Sequence, residues 1–204
     1  MTKAEELQKI KEKMEKDDSL PLKTSDTNLV FGVGDPGSEI LFIGEGPGYW
    51  ENLKEEPFVG NAGKFLDQLL TSIDIPRGSV YITNVVHHRP PENRDPFPEE
   101  ISAYGKYLDE MIRIIDPKVI ITLGRFSMAK FLPEARISSV HGKVHRVNWM
   151  GKEVVVVPMY HPAAALRNGE VMRAEKEDFL KLPSILKETE KEESKEQIEQ
   201  MNLI

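Results

Sequence analysis

The sequence predicts an α/β protein, a three-layer α/β/α sandwich around a central four-stranded parallel sheet. Two observations carry that prediction. Four short, uninterrupted apolar runs at residues 40–43, 80–82, 119–121 and 154–157 have the length and composition of strands buried on both faces. Between them lie stretches with apolar residues at helical spacing, at 63–73 (Phe65, Leu66, Leu69, Leu70), 99–115 and 126–132. Strands that alternate with helices favour a parallel sheet covered on both sides.

The elements follow in order. Residues 3–16 form a highly charged amphipathic helix, with Leu7, Ile10 and Met14 spaced by three and four. That helix and the segment after it occupy residues 1–27. The sandwich spans 28–186. Residues 187–204 form a charged helix or a disordered tail, since 187–200 holds six Glu and three Lys with few apolar residues.

A chain of 204 residues with 39% hydrophobic and 30% charged content suits one such domain with a proper core. No apolar run approaches the ~20 residues of a membrane span, and residues 1–6 lack the apolar core of a secretory signal. A cytoplasmic protein with no membrane partner is expected. The net charge of −7 is unevenly spread: residues 125–152 carry six Lys/Arg against one acid, Glu134. That basic segment suits phosphate contacts, although a charged run is more often a solvated face. There is no cysteine, which excludes disulfides and cysteine-ligated zinc or iron–sulfur sites. The five histidines follow no metal-ligand spacing.

Residues 44–63, directly after the first strand, are the most informative stretch. Gly44, Gly46, Pro47 and Gly48 surround Glu45, and Glu51, Asn52 and Phe58 follow. Such a loop lets backbone approach a ligand closely at the carboxyl edge of a sheet. A phosphate loop is disfavoured, because the glycine spacing is wrong and two carboxylates would repel the anion. A fixed carboxylate, bare backbone and an aromatic ring suit a planar, polar ligand such as a nucleobase. The other strands end in unusual residues too: Asn84 with His87, His88 and Arg89 to Arg94, then Gly124-Arg125, then Tyr160-His161-Pro162 and Leu166-Arg167-Asn168.

With these blocks in order, the sequence resembles the family 4 uracil-DNA glycosylases of the uracil-DNA glycosylase superfamily. The resemblance rests on Gly44-Glu45-Gly46-Pro47-Gly48 with Glu51, Pro57-Phe58-Val59-Gly60 with Ala62-Gly63-Lys64, and Tyr81 to Val86 around Asn84. It continues through Arg89-Pro90-Pro91 with Asn93-Arg94, Leu123-Gly124-Arg125, and His161-Pro162 with Leu166-Arg167-Asn168. It implies a sandwich of the uracil-DNA glycosylase type and hydrolysis of the N-glycosidic bond of deoxyuridine in DNA, after extrusion of the base. Phe58 would then stack on uracil, Asn84 would read its O4/N3 edge, and the Gly46 N–H and His161 would face O2. Glu45 is the first choice for the carboxylate beside the sugar. Glu51 would exclude the thymine methyl at C5 or assist with the water; the sequence does not divide these roles. Leu166 and Arg167 would fill the gap left in the helix, while Arg89, Arg94, His141 and Lys143 would hold phosphates. Each has a plainer competitor: core Phe, capping Asn, loop His, packing Leu.

The chain also departs from that family, whose members hold a four-iron, four-sulfur cluster through four cysteines. The matching positions here are Asp17, Leu20, His88 and Tyr104. No cofactor and no metal are therefore expected, with Leu20, Leu22 and Tyr104 packing in the cluster's place. Asn52 stands where an acid is common, Glu55-Glu56 replaces a glycine and a basic residue, and the wedge loop is reduced to Ala163-Ala164-Ala165. The expected partner is uracil-containing DNA, and the expected state a monomer. Two other functions compete: a catalytically weak or inactive DNA- or polymerase-associated module that kept the pocket, and a glycosylase for another deaminated base.

Overall fold

In a computed structural model, which describes residues 1–201, the four apolar runs form the middle of one sheet. Its strands are β1 (Val33–Gly34), β2 (Ile40–Gly44), β3 (Tyr81–Asn84), β4 (Val119–Leu123), β5 (His145–Trp149) and β6 (Lys152–Met159). Their order in space is β1-β3-β2-β4-β6-β5. The central β3-β2-β4-β6 pairs are all parallel, with Leu41 beside Tyr81 and Ile120, and Ile120 beside Val156.

The sheet is wider than the sequence predicts, by an antiparallel strand at each edge. β1 has only two residues. β5 alternates half-buried His145, Val147 and Trp149 with exposed Arg146 and Asn148, the pattern of a strand with one wet face. It joins β6 through Met150 and Gly151, both at positive φ, the conformation a two-residue hairpin needs.

Nine α-helices are described: α1 (Lys3–Glu15), α2 (Tyr49–Lys54), α3 (Asn61–Thr71), α4 (Pro98–Ile115), α5 (Arg125–Ala129), α6 (Ile137–Val140), α7 (Pro162–Ala165), α8 (Gly169–Phe179) and α9 (Leu182–Met201). Side chains alternate across a strand, so β2 sends Leu41 and Ile43 to one core and Phe42 to the other. The first core includes Leu7, Ile10 and Met14 of α1 and Tyr104, Leu108 and Met111 of α4. The second takes Phe65, Leu66 and Leu69 of α3 with Phe179 of α8.

Local signals set the ends of the two helices over the first core. Thr2 caps α1: its hydroxyl accepts the Glu5 N–H at 3.2 Å, and the Glu5 carboxylate accepts the Thr2 N–H at 2.8 Å. At α4, Pro98 holds the first helical position and Glu100 accepts the Phe97 N–H at 2.7 Å. α9 begins with Leu182 and Ile185 in the second core and continues through the charged stretch. Residues 202–204 of the expected tail lie outside the described residues. No described helix is long and apolar enough to cross a membrane.

Candidate active site

The carboxyl ends of the parallel strands surround a cavity of about 260 Å³, a size for a small ligand rather than a dinucleotide. β2 runs into the loop carrying Glu45, Gly46 and Pro47; β3 ends at Asn84; β6 leads to His161. Glu45, Gly46, Glu51, Phe58, Asn84, His161, Arg94 and Arg167 all line this cavity. A second cavity, lined by Gly124, Arg125, Ile137 and Tyr160, shares Glu45, His161 and Arg167 with it. The two form one groove across the sheet edge.

Phe58 occupies the back wall at φ +54, a strained conformation for a bulky residue. Glu51 stabilises that turn. Its carboxylate accepts the N–H groups of Gly60 at 2.8 Å, Val59 at 3.0 Å and Gly48 at 3.2 Å, so it ties the glycine loop to the Phe58 loop. The Phe58 ring stacks on His161, with centroids 5.7 Å apart. Two glycines make room for it. A Cβ on Gly63 would lie 1.8 Å from the Phe58 carbonyl oxygen, and one on Gly44 2.6 Å from the Phe58 ring and 2.4 Å from Asn84 Oδ1.

Asn84 is buried, yet among the described residues its Oδ1 has no hydrogen-bond partner. Buried polar atoms are nearly always paired, so this oxygen on the cavity wall stands out as an acceptor with spare capacity. His161 caps α7, and its Nδ1 accepts the Ala163 N–H at 3.1 Å. Burial, reinforced by Arg167 and opposed by Glu51, lowers its pKa to about 4. The ring is therefore neutral at pH 7, and with Nδ1 accepting, the proton sits on Nε2. Glu45 is pushed up to about 7, chiefly by burial; the Phe126 N–H and Arg125 pull it down while Asp95 raises it. Gly124, at φ +102, leaves space for this carboxyl, since a Cβ there would lie 2.3 Å from Glu45 Oε1.

The residues expected to touch DNA are more scattered. Arg167 lines both cavities, and Leu166 is 44% exposed beside it. Arg89 donates to Asn93 Oδ1 at 2.7 Å and lies over the Tyr49 ring. Arg94 reaches the cavity, but its guanidinium makes a two-pronged bond to Glu100 (2.8 and 2.6 Å) and donates to the Asp95 carbonyl. Its first duty in this structure is to shape the loop. His141 borders the groove through its contact with Tyr160, with Nδ1 2.5 Å from Asp178 Oδ2, and Lys143 donates to the Ser139 carbonyl. The sequence reading missed the Asp95–Arg125 ion pair facing Glu45, which joins residues thirty positions apart, and the buried Asp178 behind His141.

The positions matching the family's cluster ligands do not fit a metal cluster. Leu20 offers no donor atom and is buried with Leu22. The Asp17 carboxylate accepts from Tyr107 at 2.6 Å, Lys106 at 2.9 Å and the Ser19 N–H at 3.0 Å. His88 Nδ1 and the Tyr104 hydroxyl, both buried, lie 2.7 Å apart. Among the described residues no group of three His, Asp or Glu could hold a metal ion. Tyr104→Phe would leave His88 Nδ1 buried without a partner, at a cost of about 1–3 kcal/mol. Thermal unfolding is expected to show a Tm lower by roughly 2–4 °C for each kcal/mol lost.

The cavity wall thus offers an acceptor, Asn84 Oδ1, and a donor, His161 Nε2–H. Fold and site together define an α/β protein with a small, partly polar cavity at the carboxyl edge of its sheet. Residues 31–182 match the family model for the uracil DNA glycosylase superfamily, and the chain belongs to that superfamily. It is 48% identical over 167 residues to a Type-4 uracil-DNA glycosylase of Archaeoglobus fulgidus, covering 79% of this chain and 83% of the relative. A Type-4 uracil-DNA glycosylase of Sulfurisphaera tokodaii is 44% identical over 182 residues, 86% of this chain and 83% of that one. A third, from Thermotoga maritima, is 39% identical over 188 residues, 91% and 97% of the two chains.

Proposed function

We propose that this chain is a uracil-DNA glycosylase, which extrudes deoxyuridine from DNA and hydrolyses its N-glycosidic bond to leave uracil and an abasic site. The unpartnered Asn84 Oδ1 carries the reading. Uracil N3–H is the donor it lacks, with the Asn84 amide NH₂ donating to O4. Cytosine has an acceptor at N3 and a donor at position 4, so it would oppose both. The Phe58 ring would stack on the base.

When the N1–C1′ bond breaks, its electron pair leaves with uracil and positive charge develops on the sugar. The charge on uracil O2 would be met by His161 Nε2–H and the Gly46 N–H, donors fixed before reaction and so effective in stabilising it. Ionised Glu45 would stabilise the sugar cation and take a proton from the water that adds to C1′. The uracil anion is then protonated from solvent. Glu51 acts in this reading as a positioning residue, through its hold on the Phe58 turn. Arg167 and Leu166 would enter the DNA beside the extruded base, with Arg89, His141 and Lys143 toward phosphates; Arg94 would have to leave Glu100 to join them.

Every role is assigned to a group of this chain, so we propose a reaction without a resident cofactor. The groove is built from one chain, which supports action as a monomer, and the cytoplasm remains the proposed location. An oligonucleotide with a single uracil, followed by alkaline cleavage of abasic sites, tests the activity. Wild type is expected to cleave, and His161→Ala to lower the single-turnover rate by about 10². No cleavage at high protein excess, on single or double strands, would overturn the assignment in favour of an inactive module.

A further inference from the structure

The short helix α2 is inside out. Its two central polar residues face the protein: Glu51 bonds the two loops, Asn52 Oδ1 accepts the Asn28 N–H at 2.8 Å, and the Asn52 carbonyl accepts from Asn28 Nδ2 at 2.9 Å. Its apolar residues face solvent, with Tyr49 53%, Trp50 54% and Leu53 58% exposed. A surface helix ordinarily does the reverse, and a contiguous exposed apolar patch marks a place of interaction.

The patch is continuous with the base pocket. α2 starts directly after Gly48, which lines the cavity, and Arg89 bridges from the Tyr49 ring (5.3 Å to its centroid) to Asn93 on the cavity wall. The Tyr49 and Trp50 rings meet edge to face, 5.2 Å apart at 82°. Exposed aromatic faces with an arginine alongside, at the rim of a pocket for an extruded base, suit another base and its phosphate. We propose that Tyr49 and Trp50 form a stacking platform for an unpaired base neighbouring the extruded uridine, so that single-stranded DNA is gripped at a second point. The inference rests on the uracil-pocket reading for its geometry, but not for its test.

Trp149 is the other tryptophan, so Trp149→Phe leaves Trp50 as the sole reporter. Titration with uracil-free single-stranded oligothymidylate is expected to quench Trp50 fluorescence. Measured by anisotropy of a fluorescently labelled oligothymidylate, Trp50→Ala and Tyr49→Ala are each expected to weaken binding about tenfold. Leu180→Ala, which removes an exposed leucine elsewhere, is expected to keep wild-type affinity. Undiminished binding by Trp50→Ala, or fluorescence indifferent to DNA, would overturn the proposal. So would self-association of wild type in sedimentation that Trp50→Ala abolishes, which would make the patch a contact between copies. Quenching by uracil-free DNA in a protein that cleaves no uracil would leave the platform standing and remove the pocket assignment; cleavage with unaffected Trp50→Ala binding would do the opposite.

Discussion

Glu45→Gln is expected to slow uracil release from single-uracil DNA by about 10³, within the range for loss of a positioned carboxylate base. The amide keeps the shape of the side chain but can neither carry negative charge beside the sugar nor accept the proton of water. Single-turnover kinetics on a labelled oligonucleotide measure it. The pH profile supplies a second reading. With the Glu45 carboxyl held at about 7, kcat/KM should fall tenfold per pH unit below about 7 and level off above it, because only the ionised form works. Asp95 raises the Glu45 pKa and is ion-paired with Arg125, which lowers it. Asp95→Asn should therefore move the inflection to lower pH. An acid limb unchanged in both variants would remove Glu45 from the chemistry.

The same residue should trade stability for function. Its folded pKa lies above its ordinary value of 4.5, so the folded protein binds the proton more tightly than the unfolded chain. Stability is then lost as pH rises from about 4.5 to about 7. Glu45→Gln lacks that loss and should be more stable than wild type at pH 7 while much slower, a combination that a structural role would not give.

The sequence made some of this legible and hid the rest for physical reasons. β2, β3, β4 and β6 stand out because strands covered on both faces need unbroken apolar runs. β1 is too short to carry a pattern, and β5 turns through Met-Gly, which lacks the Asn-Gly signal of a tight hairpin. α2 buries none of its residues, so no amphipathic stripe announces it. Glu45, Phe58, Asn84 and His161 were individually visible, since glycines, a strand end and a His-Pro turn flanked them. Their relations were not. That Glu51 holds the Phe58 turn, that Arg94 is paired with Glu100, and that Asn84 Oδ1 lacks a partner depend on distances that composition does not encode.

Glu175→Gln is expected to stabilise the fold by about 3 kcal/mol at pH 7. Glu175 lies on α8 with no exposed surface, and among the described residues neither carboxyl oxygen has a partner in good hydrogen-bond geometry, the Tyr160 N–H being at best a weak one. Burial, then the charge of Asp178, raise its pKa to about 9, with the Tyr160 N–H opposing them. The carboxyl is thus protonated in the folded state at pH 7 and ionised in the unfolded chain. Wild type should lose stability steadily between about pH 4.5 and pH 9, by about 1.4 kcal/mol per pH unit, and the glutamine variant should lack this slope. Thermal unfolding from pH 4 to 9 should give curves that meet near pH 4 and separate above it, with Tm higher by roughly 6–12 °C in the variant at pH 7. Parallel curves would show instead that Glu175 is ionised and paired in the fold. The cost has a location: Asp178, 2% exposed, holds His141 on one oxygen and Lys181 at 2.7 Å on the other. Keeping Glu175 neutral leaves the Asp178 charge to those two partners, so the loop that carries His141 to the groove is fixed by a carboxylate with no ionised rival beneath it.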